Sequence, residues 1–501
     1  MLDIQDSFRW KRRVQKPSLI NYRLIAYVLG VLLFVEASLL GICTGVSIYY
    51  NEPEYIYFVY TILINLGLGI PLLCYGKKSN RQVNRRDGYI IVSVTWILFT
   101  TFGMLPFYLS GNIPSITDAF FETMSGFTTT GATILDNIEA LPNGMLFWRS
   151  FTQWIGGLGI VIFTIAFLPI FSGSNQQLFL SESTGVTCNK IQPRIHVMAR
   201  YLWYIYIILT LTETILLMLG GMNFIDAICH AFSTTATGGF STKQASVSYF
   251  DSAYIEYVIA IFMIISGINF SLFYWAAIGR WKHMIKDQEM HWFLKSVGIL
   301  TLIITIALII GNNYDVELAF RKALFQVATC HTSCGFATDD FNMWPHFTWM
   351  LLIFAMICGG STGSTSGGVK SMRILIMFKN IRNQFKQILH PHAVLPVRIN
   401  KVAVSSETTN RVFTFFVAYL ICVFIGWILL LMCGVGFIES MSTVISSIGN
   451  VGPGLGTFGP EFSWAALPDA AKWILSALML LGRLEIFGIL LLFSKSFWRD
   501  N

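Results

Sequence analysis

The sequence predicts an all-α polytopic membrane protein in which four similar units surround one central pore. Hydrophobic residues make up 54% of the 501 residues and charged residues only 12%, about half the charged fraction of a typical soluble protein. Four short stretches that contain glycine recur at intervals of about one hundred residues, each after a short apolar run, as in a repeated architecture. The four stretches are Thr129-Thr130-Gly131, Ala236-Thr237-Gly238, Ser333-Cys334-Gly335 and Asn450-Val451-Gly452.

Residues 1–88 are predicted to form a basic N-terminal arm and two spans that precede the repeated units. The first apolar run, at about residues 23–50, is long enough to cross a bilayer and too long for the core of a signal peptide. The arm and the segment after the second span are rich in Lys and Arg, whereas residues 51–54 between the two spans contain neither. The positive-inside rule then places the N-terminus in the cytoplasm.

From residue 89 the sequence predicts four units, each with a span, a short helix, a glycine stretch and a second span. The unit boundaries are predicted at 89–200, 201–291, 292–400 and 401–501. The second spans of the first two units are predicted at about residues 146–171 and 253–278. Because the basic residues between spans keep to one side, the same rule places all four glycine stretches on the external side.

The glycine stretches have the composition of a cation pathway. Non-helical backbone at membrane depth is tolerated only where protein or a water-filled cavity covers it. A short helix that points its C-terminal end at the centre presents partial negative charge to a cation. Glycine supplies the backbone freedom needed to turn carbonyl groups toward an ion. All residues of the four stretches are therefore candidate ion ligands through their backbone carbonyls.

The third unit is predicted to contain a broken second span. Residues 353–375 are long enough for one span, but their centre consists of glycine, serine and threonine. Each glycine in a continuous helix would cost about 0.8–1.0 kcal/mol relative to alanine. We therefore expect an irregular intramembrane loop just below the glycine stretches. Its candidate residues are Gly359, Gly360, Gly363, Gly367, Gly368 and Lys370.

Arg483 lies between the apolar runs 474–481 and 486–493, so it is predicted in the middle of the last span. A charge at that depth normally faces a cavity or a partner. The sequence predicts that Arg483 faces the pore, where it would repel cations and donate to the glycine-rich loop. An ion pair with Glu485 or another acid is the alternative.

The bulk composition excludes several other classes of protein. The net charge of +7 does not indicate nucleic-acid binding, because the basic residues lie between spans. The sequence contains no phosphate-binding loop, nucleophile elbow or zinc motif, so no cofactor is expected in this chain. Cys330 and Cys334 resemble part of a metal cluster, but they belong to the third repeated stretch.

In this order the motifs resemble the Trk/Ktr/HKT superfamily of potassium transporters, and more closely its TrkH-type membrane subunits from bacterial Trk uptake systems. The resemblance rests on residues 128–133, 235–240, 331–336, 359–370, 449–454 and 482–485. It implies potassium uptake through a carbonyl-lined selectivity filter, with potassium as the substrate, and a gate formed by the loop and Arg483. In this superfamily, the four filter glycines together are associated with potassium selectivity, and a serine in the first loop, where this sequence has Gly131, is associated with sodium permeation in some plant members.

The same resemblance implies a homodimer in the lipid of the cell's inner membrane, controlled by a cytosolic nucleotide-binding ring of the TrkA type. Two alternatives remain open from the sequence. One is a symporter of the same fold that couples cation uptake to sodium or protons. The other is a polytopic enzyme, although an enzyme should gather its polar residues at one membrane face rather than in four similar stretches.

Overall fold

The computed structural model describes residues 20–79, 84–167 and 195–499. The predicted basic arm lies outside these residues. Two helices, Tyr22–Tyr49 and Tyr55–Gly76, form the predicted N-terminal pair. They pack closely through small residues, since a Cβ atom added to Gly30 would lie 2.9 Å from Leu73 Cγ. Small residues at such a contact let two membrane helices approach each other.

Each of the four units then runs in the predicted order. The first helices of the units are Arg85–Gly103, Ile195–Leu219, Gln288–Asn312 and Ser406–Met432. The short helices are Ile116–Phe127, Phe224–Ala236, Val316–His331 and Phe437–Gly449. The second helices are Asn143–Phe167, Ala253–Ser266 with Phe270–Ala277, His346–Cys358 with Ser371–Leu389, and Asp469–Arg483 with Phe487–Leu490. The predicted all-α class is confirmed, and the order of the helices is consistent with four repeats after an N-terminal pair.

The remaining elements are short. They are the helices Leu105–Leu109 and Trp281–Ile285, the 3₁₀ turns Ile138–Ala140, Ser246–Phe250, Phe341–Met343, Gly456–Phe458, Leu491–Phe493 and Lys495–Phe497, and the strands Arg398–Ile399 and Val402–Ala403. The two strands pair as an antiparallel hairpin. Among the described helices, six are long and apolar enough to cross a membrane, or eight if each of two bent pairs counts as one span.

The short helices begin alike as well as end alike. Each carries an acidic residue in its first turn, which is Asp118, Asp226, Glu317 or Glu439. Negative charge is favourable there because the helix dipole is positive at its N-terminus. The acidic residues therefore stabilise the N-terminal ends of the four short helices.

All four second helices are interrupted, whereas the sequence predicted a break only in the third unit. Within Asn143–Phe167, Gly159 takes a φ of 66°, which a continuous helix does not permit. The second unit bends by 89° after Ser266 and the fourth by 105° after Arg483. The second spans predicted at 146–171 and 253–278 are thus interrupted within the described residues, and Arg483 lies at the end of a helix, at the bend in the last predicted span.

Candidate functional site

Each short helix ends in the same hydrogen-bonded cap. One residue, here called the cap residue, adopts a left-handed conformation with φ between 52° and 54°. In the first unit, Thr129 N donates to Gly126 O at 3.0 Å and Thr130 N donates to Ser125 O at 2.9 Å. This pair of bonds is the Schellman arrangement, and it recurs in the other three units. The four cap residues are Thr129, Thr237, Ser333 and Asn450.

A glycine with positive φ follows each cap residue after one intervening residue. These ring glycines are Gly131, Gly239, Gly335 and Gly452, with φ of 83°, 77°, 99° and 107°. The intervening middle residues are Thr130, Gly238, Cys334 and Val451. Three of the four predicted stretches thus have the predicted register. In the second unit, Thr237-Gly238-Gly239 occupies the place expected for Ala236-Thr237-Gly238, because the short helix continues through Ala236.

The four loops close into one ring. A Cβ atom added to Gly131 would lie within 3.0 Å of Gly238 O, and one added to Gly239 would lie equally close to Cys334 O. The same relation joins the third loop to the fourth and the fourth back to the first. Every ring glycine therefore faces the carbonyl of the next loop's middle residue, and a side chain at any of them would strike that carbonyl. All four ring glycines also line a single cavity.

Each short helix carries a Ser or Thr near its C-terminal end that the sequence-based prediction missed, and in the third and fourth units its side chain supports the loop. Ser125, Ser233, Thr329 and Ser446 stand at the same distance before the four ring glycines. The side chain of Thr329 accepts from Gly335 N at 3.0 Å, and that of Ser446 accepts from Gly452 N at 2.9 Å. The signal was available in the sequence as a Ser or Thr at a fixed distance before each ring glycine.

A buried ion pair ties the first loop to the second. Arg149 Nε lies 2.6 Å from Glu122 Oε1, and both side chains are buried. Glu122 also accepts from Ile134 N at 2.9 Å. Arg149 donates to Ser241 O at 2.8 Å and stacks over the ring of Phe240. The pair therefore fixes residues that follow the ring in two neighbouring units.

Replacing Glu122 with alanine is expected to lower the free energy of unfolding by about 3–5 kcal/mol, because it leaves the buried guanidinium of Arg149 without its counter-charge. The thermal unfolding midpoint of the detergent-solubilised protein measures this loss. Glu407→Ala is the matched control, since Glu407 pairs with Arg411 on an exposed helix face where such pairs contribute little. Equal midpoints for the two variants would contradict a supporting role for the buried pair.

The loop between Cys358 and Ser371 lies against the ends of three short helices. Thr365 Oγ1 donates to Thr235 O at 3.1 Å, and Gly367 N donates to Ser333 Oγ at 2.5 Å. A Cβ atom on Gly367 would also lie within 3.0 Å of Gly449 O. The predicted irregular loop is therefore present and runs directly beneath the cap residues.

The other predicted loop residues hold the loop to its surroundings. Gly359 takes a φ of 65° and accepts from Ser371 Oγ at 2.9 Å. Gly363 takes a φ of 78°, and its carbonyl accepts from Phe270 N at 3.1 Å. The remaining predicted residues also make close approaches: Gly360 lies near Gly267 O, Gly368 packs on Gly359, and Lys370 Nζ donates to Ser366 O.

Arg483 joins the loop to the first unit. Its guanidinium donates to Thr365 O at 3.1 Å, to Gly157 O at 3.0 Å and to Gly156 O. Glu485, the acid expected as an alternative partner of Arg483, instead pairs with Arg373 at 2.5 Å. The guanidinium of Arg483 thus lies among backbone carbonyls beneath the ring, and its position facing the pore stays a prediction.

Glu256 is a buried acid in the second helix of the second unit. Glu256 is paired with Arg321 at 3.1 Å and Lys322 at 2.9 Å, both on the third short helix. No group of three or more His, Cys, Asp or Glu side chains suited to a metal ion occurs within residues 20–79, 84–167 and 195–499.

Four helix-capped loops, closed into one ring among spanning helices and covered on one side by a polar loop, define a membrane transport protein. The sequence model of the TrkH family, described as cation transport protein, matches residues 57–501. The chain belongs to this family of cation transport proteins. A polytopic enzyme, the less favoured alternative from the sequence, is thereby set aside.

The chain is similar to several proteins of known type over nearly its whole length. It is 38% identical to the Trk system potassium uptake protein TrkH of Salmonella typhimurium, over 96% of this chain and 100% of that protein. It is 34% identical to the Trk system potassium uptake protein TrkG of Escherichia coli, over 96% and 99% of the two chains. The crystal structure of the potassium transporter TrkH from Vibrio parahaemolyticus matches with a TM-score of 0.87 and 35% identity, over 95% of this chain and 100% of that one.

Proposed function

We propose that this protein takes up potassium across the cell's inner membrane through the ring of four loops. The closed ring is the observation that carries the proposal, because it brings four backbone loops to one place at the ends of four short helices. The names of the full-length relatives support potassium as the ion.

Backbone carbonyls of the cap and middle residues are the proposed ion ligands. Carbonyl oxygens replace the hydration shell of a cation in such filters. The four short helices direct their partly negative C-terminal ends at the same place, which favours a cation there. In the first, third and fourth loops these residues are among those proposed from the sequence. In the second loop, Thr237 and Gly238 take the places expected for Ala236 and Thr237, and Gly239 is the ring glycine.

The decisive experiment is ion flux into liposomes that contain the purified protein. Potassium influx that greatly exceeds sodium influx at equal gradients is the expected result. Imposed proton or sodium gradients test the symport alternative, because only a coupled carrier would be driven by them against a potassium gradient. Equal potassium and sodium influx in the wild-type protein would contradict the proposed function.

The loop that includes Gly359 to Lys370, together with Arg483, is the proposed gate. The loop crosses the ends of three short helices, and Arg483 adds a positive charge to the same place. An ion that leaves the ring on this side meets both groups. Opening therefore requires the loop to move away from the short-helix ends.

Deleting residues 361–364 is expected to raise basal potassium flux, because the shortened loop can no longer reach both Thr235 and Ser333. The measurement is flux per unit of reconstituted protein. Deleting the four exposed or half-exposed residues 391–394 is the control, since it shortens a segment away from the ring by the same length. Wild-type flux in the 361–364 deletion would show that the loop is a passive connector.

We further propose that the N-terminus is cytoplasmic and that the chain works as a homodimer with a cytosolic nucleotide-binding ring. The exposed basic residues Arg382, Lys386 and Lys401 offer the nucleotide-binding partner a docking face on the side of the proposed gate. The charge asymmetry of the loops supports the orientation. The docking face is tested by cross-linking single cysteines at these three positions to the added nucleotide-binding protein.

A further inference from the structure

Gln153 connects the second helix of the first unit to the loop of the second unit. It is completely buried. Its Nε2 atom donates to Gly238 O at 2.6 Å, and its Oε1 atom accepts from Phe240 N at 3.0 Å. One side chain thus binds the carbonyl of a middle residue and the backbone just beyond the ring glycine.

This glutamine departs from the four-fold pattern. Gly156 in the first unit and Gly482 in the fourth occupy equivalent places. A Cβ atom added to either glycine would clash with a backbone carbonyl of the same unit, that of the residue two positions before the cap residue. At the same number of residues before these two glycines stand Gln153 in the first unit and Met479 in the fourth. Met479 is also completely buried, but its thioether cannot donate a hydrogen bond.

A comparison with the second unit also finds a methionine at the place of Gln153. Gly157 and Gly267 each lie against the residue that precedes the next unit's cap residue. At the same number of residues before these two glycines stand Gln153 in the first unit and Met263 in the second, and Met263 is completely buried as well. The place that holds an amide in the first unit therefore holds a methionine in the second and fourth.

The second loop is adapted to this amide. Its middle residue is Gly238, whereas the other three loops have Thr130, Cys334 and Val451 there. A Cβ atom on Gly238 would lie 2.5 Å from Gln153 Cδ, which is closer than real side chains approach. The glutamine and the glycine therefore form a matched pair found in one loop of the ring.

We propose that Gln153 is a positioning residue that sets the ion preference of the ring by holding the Gly238 carbonyl in one orientation. The inference rests on the proposed function. A carbonyl oxygen has two lone pairs, so Gly238 O can accept from Gln153 and still face an ion. Without the amide this carbonyl is free to turn toward a smaller cation, and the distinction between potassium and sodium weakens.

The test compares Gln153→Met, which installs the residue found in two other units, with Gln326→Met as the matched control. Gln326 is equally buried, and its Nε2 atom donates to Asp339 O at 3.1 Å, a carbonyl outside the ring. The readout is the ratio of the sodium KM to the potassium KM in liposomes. One lost hydrogen bond corresponds to about a fivefold fall in this ratio, which is expected for Gln153→Met and not for Gln326→Met.

Gln153→Leu serves as a second variant in case the methionine variant does not fold. A wild-type KM ratio in either folded variant overturns the proposal. Loss of folded protein in both, with Gln326→Met normal, assigns Gln153 a purely structural role and also overturns it. Absence of potassium preference in the wild-type protein is a different outcome, because it removes the proposed function itself.

Discussion

Gly131→Ser is expected to abolish most of the preference for potassium over sodium. The serine Cβ would lie within 3.0 Å of the Gly238 carbonyl, so that carbonyl must move. The substitution also forces an L-residue to adopt a φ of 83°, which such residues rarely take. Because each ring glycine faces the next loop's carbonyl, displacement at one point distorts the neighbouring loop as well. Competition between the two ions in a flux assay measures the change.

Gly434→Ser separates backbone strain from damage to the ring. Gly434 has a φ of 84°, almost that of Gly131, but no heavy atom lies within 4 Å of its added Cβ. Both variants carry the same backbone penalty, and only Gly131→Ser disturbs a ring carbonyl. Equal potassium preference in the two variants would contradict the assignment of Gly131 to the filter.

Arg483→Ala is expected to raise potassium flux by more than about tenfold. A fixed positive charge about 4 Å from a passing cation opposes it by about 4 kcal/mol at an effective dielectric constant of about 20. The same substitution removes the donor that holds Thr365 and thereby loosens the loop. Both effects lower the barrier beneath the ring, so they act in the same direction.

Arg483→Lys provides the graded comparison. Lysine keeps the positive charge but loses the planar set of donors that reaches the first unit and the loop together. We expect an increase in flux smaller than that of alanine. The comparison uses equal amounts of folded protein in the membranes. Unchanged or lower flux in Arg483→Ala at normal yield would make Arg483 a structural residue instead of a barrier.

The breaks in the second helices differ in whether the local composition of the sequence predicts them. The third break is visible because glycine, serine and threonine replace apolar residues over a long segment. The fourth break has no such composition, since it occurs at Glu485 and Ile486, which take φ of 53° and 58°. An isoleucine is a poor choice for positive φ, so tertiary packing and the ion pair of Glu485 with Arg373 determine that bend.

The ring itself was predictable because its signal is repeated four times. Its register was not predictable in the second loop, where two successive glycines, Gly238 and Gly239, each fit the pattern. The structure decides between them through the end of the short helix at Ala236. Gln153 was missed for the opposite reason, because an isolated amide in an apolar helix has no counterpart in the other units to draw attention to it.

Ring closure has a consequence for how the protein is made. The fourth loop must meet the first, and Asn450 Nδ2 donates to Thr130 Oγ1 at 3.0 Å across 320 positions of sequence. A chain still emerging from the ribosome can insert its first three units, but it has no complete ring until the last unit arrives. Partly synthesised chains therefore lack the finished pathway, and ion conduction begins only with an almost full-length product.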